Sequence, residues 1–224
     1  MTDMRTQIKI CGLRSVEVAT VASEAGADFL GFNFVEGVRR QLQPEEGARI
    51  IAAFKSGQDA SNKPVKVTPA RIVGLFRNQD ADWVNRVARD AGLDFLQLNG
   101  EEDDGCIETM ELPVIRQVRV REGTTPGELD EIVSHHLDAG RIVLLDRYDK
   151  DTPGGTGLSF DWAAAEGVAS RENVLLAGGL KPENVQSAIA QLAPWGVDVA
   201  SGVEVDGVKD PARIRAFIEA VQTA

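Results

Sequence analysis

The sequence contains few of the residues that metal sites and disulfide frameworks require, and its charge is predominantly acidic. Its 224 residues include two cysteines and two histidines. Cys11 and Cys106 lie far apart and lack CxxC spacing, so neither a disulfide framework nor a metal site is predicted. His135 and His136 show no partner pattern either, and we interpret Cys106 and both histidines as structural or surface residues. The formal net charge of −11 disfavours binding to nucleic acid or to an anionic membrane surface.

Long apolar runs are also missing. No stretch approaches the ~18 uninterrupted apolar residues of a membrane span, and the short polar segment 1–7 does not have the pattern of a signal peptide. We therefore expect a cytoplasmic protein without a membrane partner. The length and the 43% hydrophobic content suit one large domain, and we predict a single catalytic domain over residues 1–224.

Short apolar runs alternate with amphipathic segments along the chain. The runs predict eight strands, at 8–11, 29–34, 71–76, 94–98, 114–120, 142–145, 174–177 and 197–200. The clearest helices are predicted at 16–25, 44–54, 81–91, 160–168, 182–192 and 211–221, with Pro44, Pro182 and Pro211 in first turns. Residues 122–136 fit either a helix or a loop, and 55–69 predict a long loop without a functional role.

This βα alternation indicates either a barrel or a doubly wound sheet. Eight strands favour a (β/α)8 TIM barrel. In that fold, chemistry takes place at the C-terminal ends of the strands and on the loops that follow them. Functional residues are therefore expected at those positions.

Two reactive side chains follow strands in this way. Cys11 ends the first predicted strand, where a thiolate would serve as a base or nucleophile; the alternative is a small buried hydrophobic residue. Asp146 follows the sixth apolar run, where a carboxyl is costly unless it is paired or functional; a cap or a loop ion pair is the alternative. The two strands are far apart in sequence, so we predict that these residues face each other as an acid–base pair.

Glycine-containing loops follow the last strands. Gly178 and Gly179 come after the seventh strand, and Ser201 and Gly202 after the eighth. Loops at these two positions form the usual phosphate site of such barrels, because backbone N–H groups approach the anion closely. Gly155 lies in a third loop, which indicates either contact with a ligand or a flexible connector.

Four further polar residues stand at or just after the ends of strands. Arg39, with Arg40 beside it, follows the second strand and would bind a carboxylate through two parallel hydrogen bonds; a solvated surface charge is the alternative. Gln97 and Asn99 alternate with an apolar residue at the end of the fourth strand, so both side chains would line the barrel mouth. Polar residues satisfied within a turn are the alternative.

Together these segments resemble the phosphoribosylanthranilate isomerase family along nearly the whole chain. The matching segments, in order, are 9–13, 26–28, 31–32, 73–76, 97–101, 144–146, 154–157, 160–162, 176–180, 183–185, 197–199, 201–204 and 209–210. The resemblance implies the Amadori rearrangement of N-(5-phosphoribosyl)anthranilate, a small phosphosugar, without a cofactor. It implies Asp146 as the general acid and Cys11 as the general base. It also implies phosphate binding at Gly178, Gly179, Ser201 and Gly202.

The remaining roles also come from the resemblance. Arg39 would bind the anthranilate carboxylate, and Asp198 would lie beside the substrate amine. The chain departs from the family at Asn99, where a histidine is usual, at the loop before Arg39, where Ser-Pro is usual, and at Ala200, where serine is common. These departures bear on substrate affinity rather than reaction type. A different phosphosugar barrel enzyme and a non-catalytic phosphate-binding barrel are the alternatives, and either a monomer or a homodimer is compatible with the sequence.

Overall fold

The computed structural model describes residues 5–59, 70–121, 123–147 and 165–224. Eight strands follow one another around a closed barrel in sequence order. They are β1 (Gln7–Cys11), β2 (Phe29–Asn33), β3 (Arg71–Phe76), β4 (Phe95–Leu98), β5 (Val114–Val120), β6 (Ile142–Arg147), β7 (Val174–Leu176) and β8 (Gly196–Val199). The predicted (β/α)8 TIM barrel is therefore confirmed, and the doubly wound alternative is not.

The described residues also contain seven α-helices. They are α1 (Val16–Ala25), α2 (Pro44–Asp59), α3 (Ala81–Ala91), α4 (Asp104–Glu108), α5 (Pro126–Asp138), α6 (Val185–Leu192) and α7 (Pro211–Gln222). Local sequence explains where several begin. Asp80 and Asp210 each accept a hydrogen bond from a backbone N–H in the first turn of α3 and α7, which satisfies a donor that has no partner within the helix. No described helix is long and apolar enough to span a membrane.

The strands pair in parallel, and most of their residues are buried. In the described pairs, Phe29 of β2 lies opposite Arg71 of β3, and Leu175 of β7 lies opposite Gly196 of β8. All three residues of β7 have no exposed surface. Such strands have apolar residues on both faces because helices or barrel interior cover each side, which explains why they appear in the sequence as continuous apolar runs.

The helix predictions were less accurate than the strand predictions. Pro182 was expected in a first turn, but α6 begins at Val185, because residues 181–184 form a hydrogen-bonded turn in which the Lys181 N–H donates to Asn184 Oδ1. Most of α5 falls in the ambiguous segment 122–136, and the helix begins with a capping box formed by Thr125 and Glu128. The predicted helix 160–168 lies mostly outside the described residues.

Three short elements were not predicted from the sequence. These are α4, a 3-10 turn at Ser201–Val203, and a two-stranded antiparallel hairpin of β9 (Glu204–Val205) and β10 (Val208–Lys209). Each helix, turn or strand among them has five residues or fewer, too short for a hydrophobic period to be visible.

The chain divides into two compact units. The C-terminal unit comprises the described residues of 1–9 and 116–224, and the N-terminal unit comprises those of 10–115. In the N-terminal unit, α2 packs against α1 and α3, and the core contains Phe32, Phe54 and Phe76. In the C-terminal unit, α6 packs against α7, whose Phe217 has no exposed surface.

Candidate active site

A cavity of about 50 Å³ lies in the C-terminal unit, at the ends of β6, β7 and β8. Asp146, the residues 177–180 and the residues 198–201 line it. Sites for whole small molecules usually occupy ~300–1,000 Å³, so this compartment accommodates one group of a ligand rather than an entire phosphosugar. Five predicted residues line it: Asp146, Gly178, Gly179, Asp198 and Ser201.

The loop after β7 adopts a backbone conformation that favours glycine. Gly178 and Gly179 have φ angles of 89° and 72°, in a region that other residues rarely adopt. Asn184 holds this loop from outside the cavity: its Nδ2 donates to the carbonyl oxygen of Gly179 at 3.0 Å, and its Oδ1 accepts from the Lys181 N–H at 2.8 Å. The two glycines are therefore fixed in position by the turn that precedes α6.

The loop after β8 lies directly against the loop after β7. A Cβ atom added to Gly202 would overlap the carbonyl oxygen of Leu180, so only glycine allows this approach. The 3-10 turn that starts at Ser201 has no side-chain cap, because Ala200 precedes it. Uncapped N–H groups at the start of a helical turn are donors suited to an anion.

Arg213 of α7 supports the loop after β8. Its Nε donates to the carbonyl oxygen of Gly202 at 3.1 Å, and its NH2 group donates to Glu183 Oε1 at 2.9 Å. The pKa of Glu183 lies below its ordinary value, first because its own backbone N–H donates to the carboxylate. The hydrogen bond and attraction from Arg213 act in the same direction, whereas burial opposes them. Arg213 thus links both loops to the outer helices.

Asp198 lines the cavity with a charged partner that the sequence analysis missed. Lys9 of β1 has no exposed surface, and its Nζ donates to Asp198 Oδ1 at 2.6 Å. A buried lysine is stable as a cation only when it is paired. The signal in the sequence was strand alternation, since residues two apart in β1 point to the same side; Lys9 stands two residues before Cys11.

A second buried lysine lies near the same loop. Lys209 Nζ donates to the carbonyl oxygen of Ala200 at 2.6 Å and to Glu204 Oε1 at 2.9 Å. The side chains of Lys209 and Glu204 are 5% and 4% exposed. The β9–β10 hairpin therefore fixes the backbone at Ala200, on the wall of the cavity, through a charged contact.

Asp146 stands near the end of β6 and has an amide partner on the neighbouring strand. Gln117 of β5 donates from Nε2 to Asp146 Oδ2 at 2.8 Å. This contact was not predicted, because strand pairing brings together residues 29 positions apart. Asp146 is half-buried and lines the cavity beside the glycine loops, so a proton on its carboxyl group can be transferred to a ligand held there.

Four other predicted residues belong to the N-terminal unit: Cys11, Arg39, Gln97 and Asn99. Cys11 is 6% exposed and packs against Gly31 of β2, where an added Cβ would lie 3.2 Å from Cys11 Sγ. Gln97 is buried, and its Nε2 donates to Asn99 Oδ1 at 2.9 Å. The predicted residues Gln97 and Asn99 are therefore brought together.

The two arginines of the predicted carboxylate-binding loop differ in placement. Arg39 is exposed, and its carbonyl oxygen accepts from Arg14 at 3.4 Å. The side chain of Arg40 is half-buried and lies over Gly12, immediately after Cys11. The predicted ligand residue Gly155 lies outside the described residues.

Comparison with known proteins gives a consistent result. A family model described as N-(5'phosphoribosyl)anthranilate (PRA) isomerase matches residues 8–220. The N-(5'-phosphoribosyl)anthranilate isomerase of Dehalococcoides mccartyi is 42% identical, over 96% of this chain and 95% of that protein. The enzyme of the same name from Citrifermentans bemidjiense is 41% identical, over 95% of each chain.

Solved structures agree with the sequence comparisons. Phosphoribosyl anthranilate isomerase from Thermotoga maritima gives a TM-score of 0.80 at 30% identity, covering 98% of this chain and 100% of that one. A phosphoribosyl anthranilate isomerase in complex with reduced 1-(o-carboxyphenylamino)-1-deoxyribulose 5-phosphate gives a TM-score of 0.77, with the same identity and coverage.

Proposed function

Because this chain belongs to the N-(5'-phosphoribosyl)anthranilate isomerase family, we propose that it catalyses the family's Amadori rearrangement with Asp146 as general acid and Cys11 as general base. Membership makes the chain an isomerase of tryptophan biosynthesis that acts on a small phosphosugar. The rearrangement converts N-(5-phosphoribosyl)anthranilate to 1-(2-carboxyphenylamino)-1-deoxyribulose 5-phosphate.

Asp146 begins the reaction in this proposal. Its carboxyl group protonates the ring oxygen of the furanose, the bond from C1 to that oxygen breaks, and the nitrogen lone pair forms an iminium. The cavity supports this role because Asp146 shares it with the glycine loops. A carboxyl group placed beside a bound phosphosugar can reach the ring oxygen without a cofactor.

Cys11 completes the reaction as a thiolate. It removes the proton from C2 of the sugar, the iminium accepts the electron pair, and the resulting enol-amine tautomerises to the ketone. The position of Cys11 at the C-terminal end of β1 supports the role, since such enzymes act at that end of the barrel.

The phosphate would be bound by backbone N–H groups of Gly178, Gly179, Ser201 and Gly202. Three observations support this assignment: the left-handed glycines, the close approach at Gly202 and the uncapped turn at Ser201. These donors supply local positive potential in a chain whose formal net charge is −11.

The remaining substrate contacts are proposed as follows. Arg39 binds the anthranilate carboxylate, and Asp198 accepts a hydrogen bond from the substrate amine. Gln97, Asn99 and Gly155 complete the site, with Asn99 limited to hydrogen bonding because an amide does not exchange protons near neutral pH.

The wider context follows from the same family assignment. We propose that residues 1–224 act as one catalytic domain, in the cytoplasm, as a monomer or homodimer. The acidic charge argues against nucleic acid and membrane surfaces as partners.

The observation that carries the proposal is the presence of Asp146 in one cavity with both glycine loops. The test is turnover of purified protein, followed by the loss of phosphoribosylanthranilate fluorescence. Asp146→Asn should lower kcat by roughly 10²- to 10⁴-fold, because an amide cannot donate the proton. Asp138→Asn, at an exposed position at the end of α5, is the matched control and should leave kcat unchanged. Wild-type turnover in Asp146→Asn would reject the acid assignment.

A further inference from the structure

Gln117 donates a hydrogen bond to the carboxyl group of Asp146. It lies on β5, next to β6 in the barrel, and its Nε2 donates to Asp146 Oδ2 at 2.8 Å. None of the roles assigned above uses it. Its position against the proposed acid makes its own chemistry relevant to the reaction.

The direction of this hydrogen bond distinguishes the two oxygens of Asp146. An amide N–H group only donates, so Oδ2 must act as an acceptor. An ionised carboxylate accepts at both oxygens, and a protonated one still accepts at the oxygen without hydrogen. The bond from Gln117 therefore persists in both protonation states if the proton resides on Oδ1.

The bond distinguishes two oxygens that the side-chain torsion by itself leaves nearly equivalent. Rotation about the terminal bond of an aspartate side chain is broad and roughly two-fold, so either oxygen could carry the proton and either could face the ligand. The amide of Gln117 restricts that rotation. It thereby assigns the transferable proton to one atom.

The oxygen of the Gln117 amide indicates that packing alone does not explain why a glutamine stands at this position. Within the described part of the chain, Gln117 Oε1 is buried and accepts no hydrogen bond. A buried acceptor without a partner lowers stability, and a methionine of similar length would avoid that cost. The contact with Asp146 is then the favourable interaction that the amide makes.

We propose that Gln117 is a positioning residue that fixes Oδ1 of Asp146 as the oxygen that carries the proton. This inference rests on the proposed role of Asp146 as general acid. During ring opening the proton moves from Oδ1 to the furanose oxygen, which keeps the electron pair of the broken bond to C1. The nitrogen lone pair forms the new bond to C1, and the carboxylate that remains still accepts from Gln117.

Among the described residues that line the cavity, Asp198 of β8 is the other ionisable one, and it is paired with Lys9 of β1. Replacing Gln117 leaves this ion pair in place. A change in the pH profile of Gln117→Met, which adds no ionisable group, therefore reports on Asp146.

The experiment compares kcat, KM and the pH profile of kcat for Gln117→Met and Gln117→Glu with wild type. Gln117→Met should lower kcat by ~10- to ~100-fold, the loss expected for a misplaced catalytic group, with little change in KM. The alkaline limb of the kcat profile of this variant should move to higher pH, because the carboxylate of Asp146 has lost a hydrogen-bond donor that favours its charged form. Gln117→Glu should move that limb at least as far, because two carboxyl groups then compete for ionisation.

The controls separate this inference from the proposed function. Gln186→Met, at an exposed position on α6, should behave as wild type. The inference fails if Gln117→Met has the kcat and the alkaline limb of wild type. It also fails if kcat falls while the alkaline limb does not move and the thermal midpoint is lower, because that combination is expected of a residue with only a structural role. If Asp146→Asn is inactive while Gln117→Met is unaffected, only the role of Gln117 fails; if Asp146→Asn is fully active, the acid assignment itself fails.

Discussion

The two compact units bury different kinds of side chain. In the N-terminal unit the interior is rich in aromatic residues: Phe34 stacks on Phe76 with ring centroids 5.5 Å apart, and the guanidinium of Arg71 lies 3.9 Å from the ring centroid of Phe29. In the C-terminal unit, two buried lysines are paired with carboxylates, Lys9 with Asp198 and Lys209 with Glu204. Both pairs involve a residue on or beside the cavity.

This difference indicates how the stability of each unit responds to substitution of its buried side chains. Apolar packing loses stability in proportion to the volume removed. A buried ion pair behaves differently, because removal of one partner leaves an uncompensated charge. We therefore expect the C-terminal unit to combine binding and stability in the same residues, whereas Cys11 in the N-terminal unit can be changed for function with little loss of stability.

The largest expected effect tests the contribution of the N-terminal unit. Cys11→Ala should lower kcat by roughly 10²- to 10⁴-fold, because it removes the proposed base, while thermal unfolding stays cooperative. Cys106→Ala, which changes the other free cysteine of the same unit, should retain full activity. Near wild-type turnover in Cys11→Ala would mean that another group removes the C2 proton.

The next effect tests the buried charge of the C-terminal unit. Lys9→Met should destabilise the fold by about 3–5 kcal/mol, since Asp198 is left buried without its cation. Chemical denaturation measures this change. Arg171→Met is the comparison, because the side chains of Arg171 and its partner Asp130 are 30% and 54% exposed. Exposed ion pairs contribute only about 0–1 kcal/mol to stability. Equal losses in the two variants would show that burial of the Lys9 pair has no special effect.

The smallest effect tests the contact between the two glycine loops. Gly202→Ala should destabilise the fold by about 1–3 kcal/mol, because its Cβ overlaps the Leu180 carbonyl oxygen and the loops must separate. KM for the substrate should rise, since the phosphate donors move apart. Gly127→Ala in α5, where an added Cβ meets nothing within 4 Å, should be neutral or slightly stabilising. An unchanged KM in Gly202→Ala would argue against phosphate binding at this loop.

Much of the barrel could be predicted because its strands are continuous apolar runs bounded by polar loops. The predicted bounds of β3 and β5 agree with the structure at both ends. Predictions failed where short-range hydrogen bonds decide the backbone, as at Pro182, which precedes α6 rather than opening it. The hairpin of β9 and β10 was missed because two-residue strands show no periodicity.

The candidate site could be predicted in part, for a related reason. The rule that chemistry follows the strand ends selected Asp146, Gly178, Gly179 and Ser201, which line the cavity. It did not select Gln117 or Lys9, because neither stands in a loop after its strand. Both act through a partner on another strand, and a single sequence contains no signal for which residues are opposite one another.

The sequence by itself determined the order of strands, the residues that end them and the family to which they belong, because each of these depends on local pattern along the chain. Tertiary structure alone decided the partners: Lys9 with Asp198, Gln117 with Asp146, and Gly202 with the loop after β7. The physical reason is that the register of neighbouring strands and the closure of the barrel set these distances, and both are products of the whole fold rather than of any one segment.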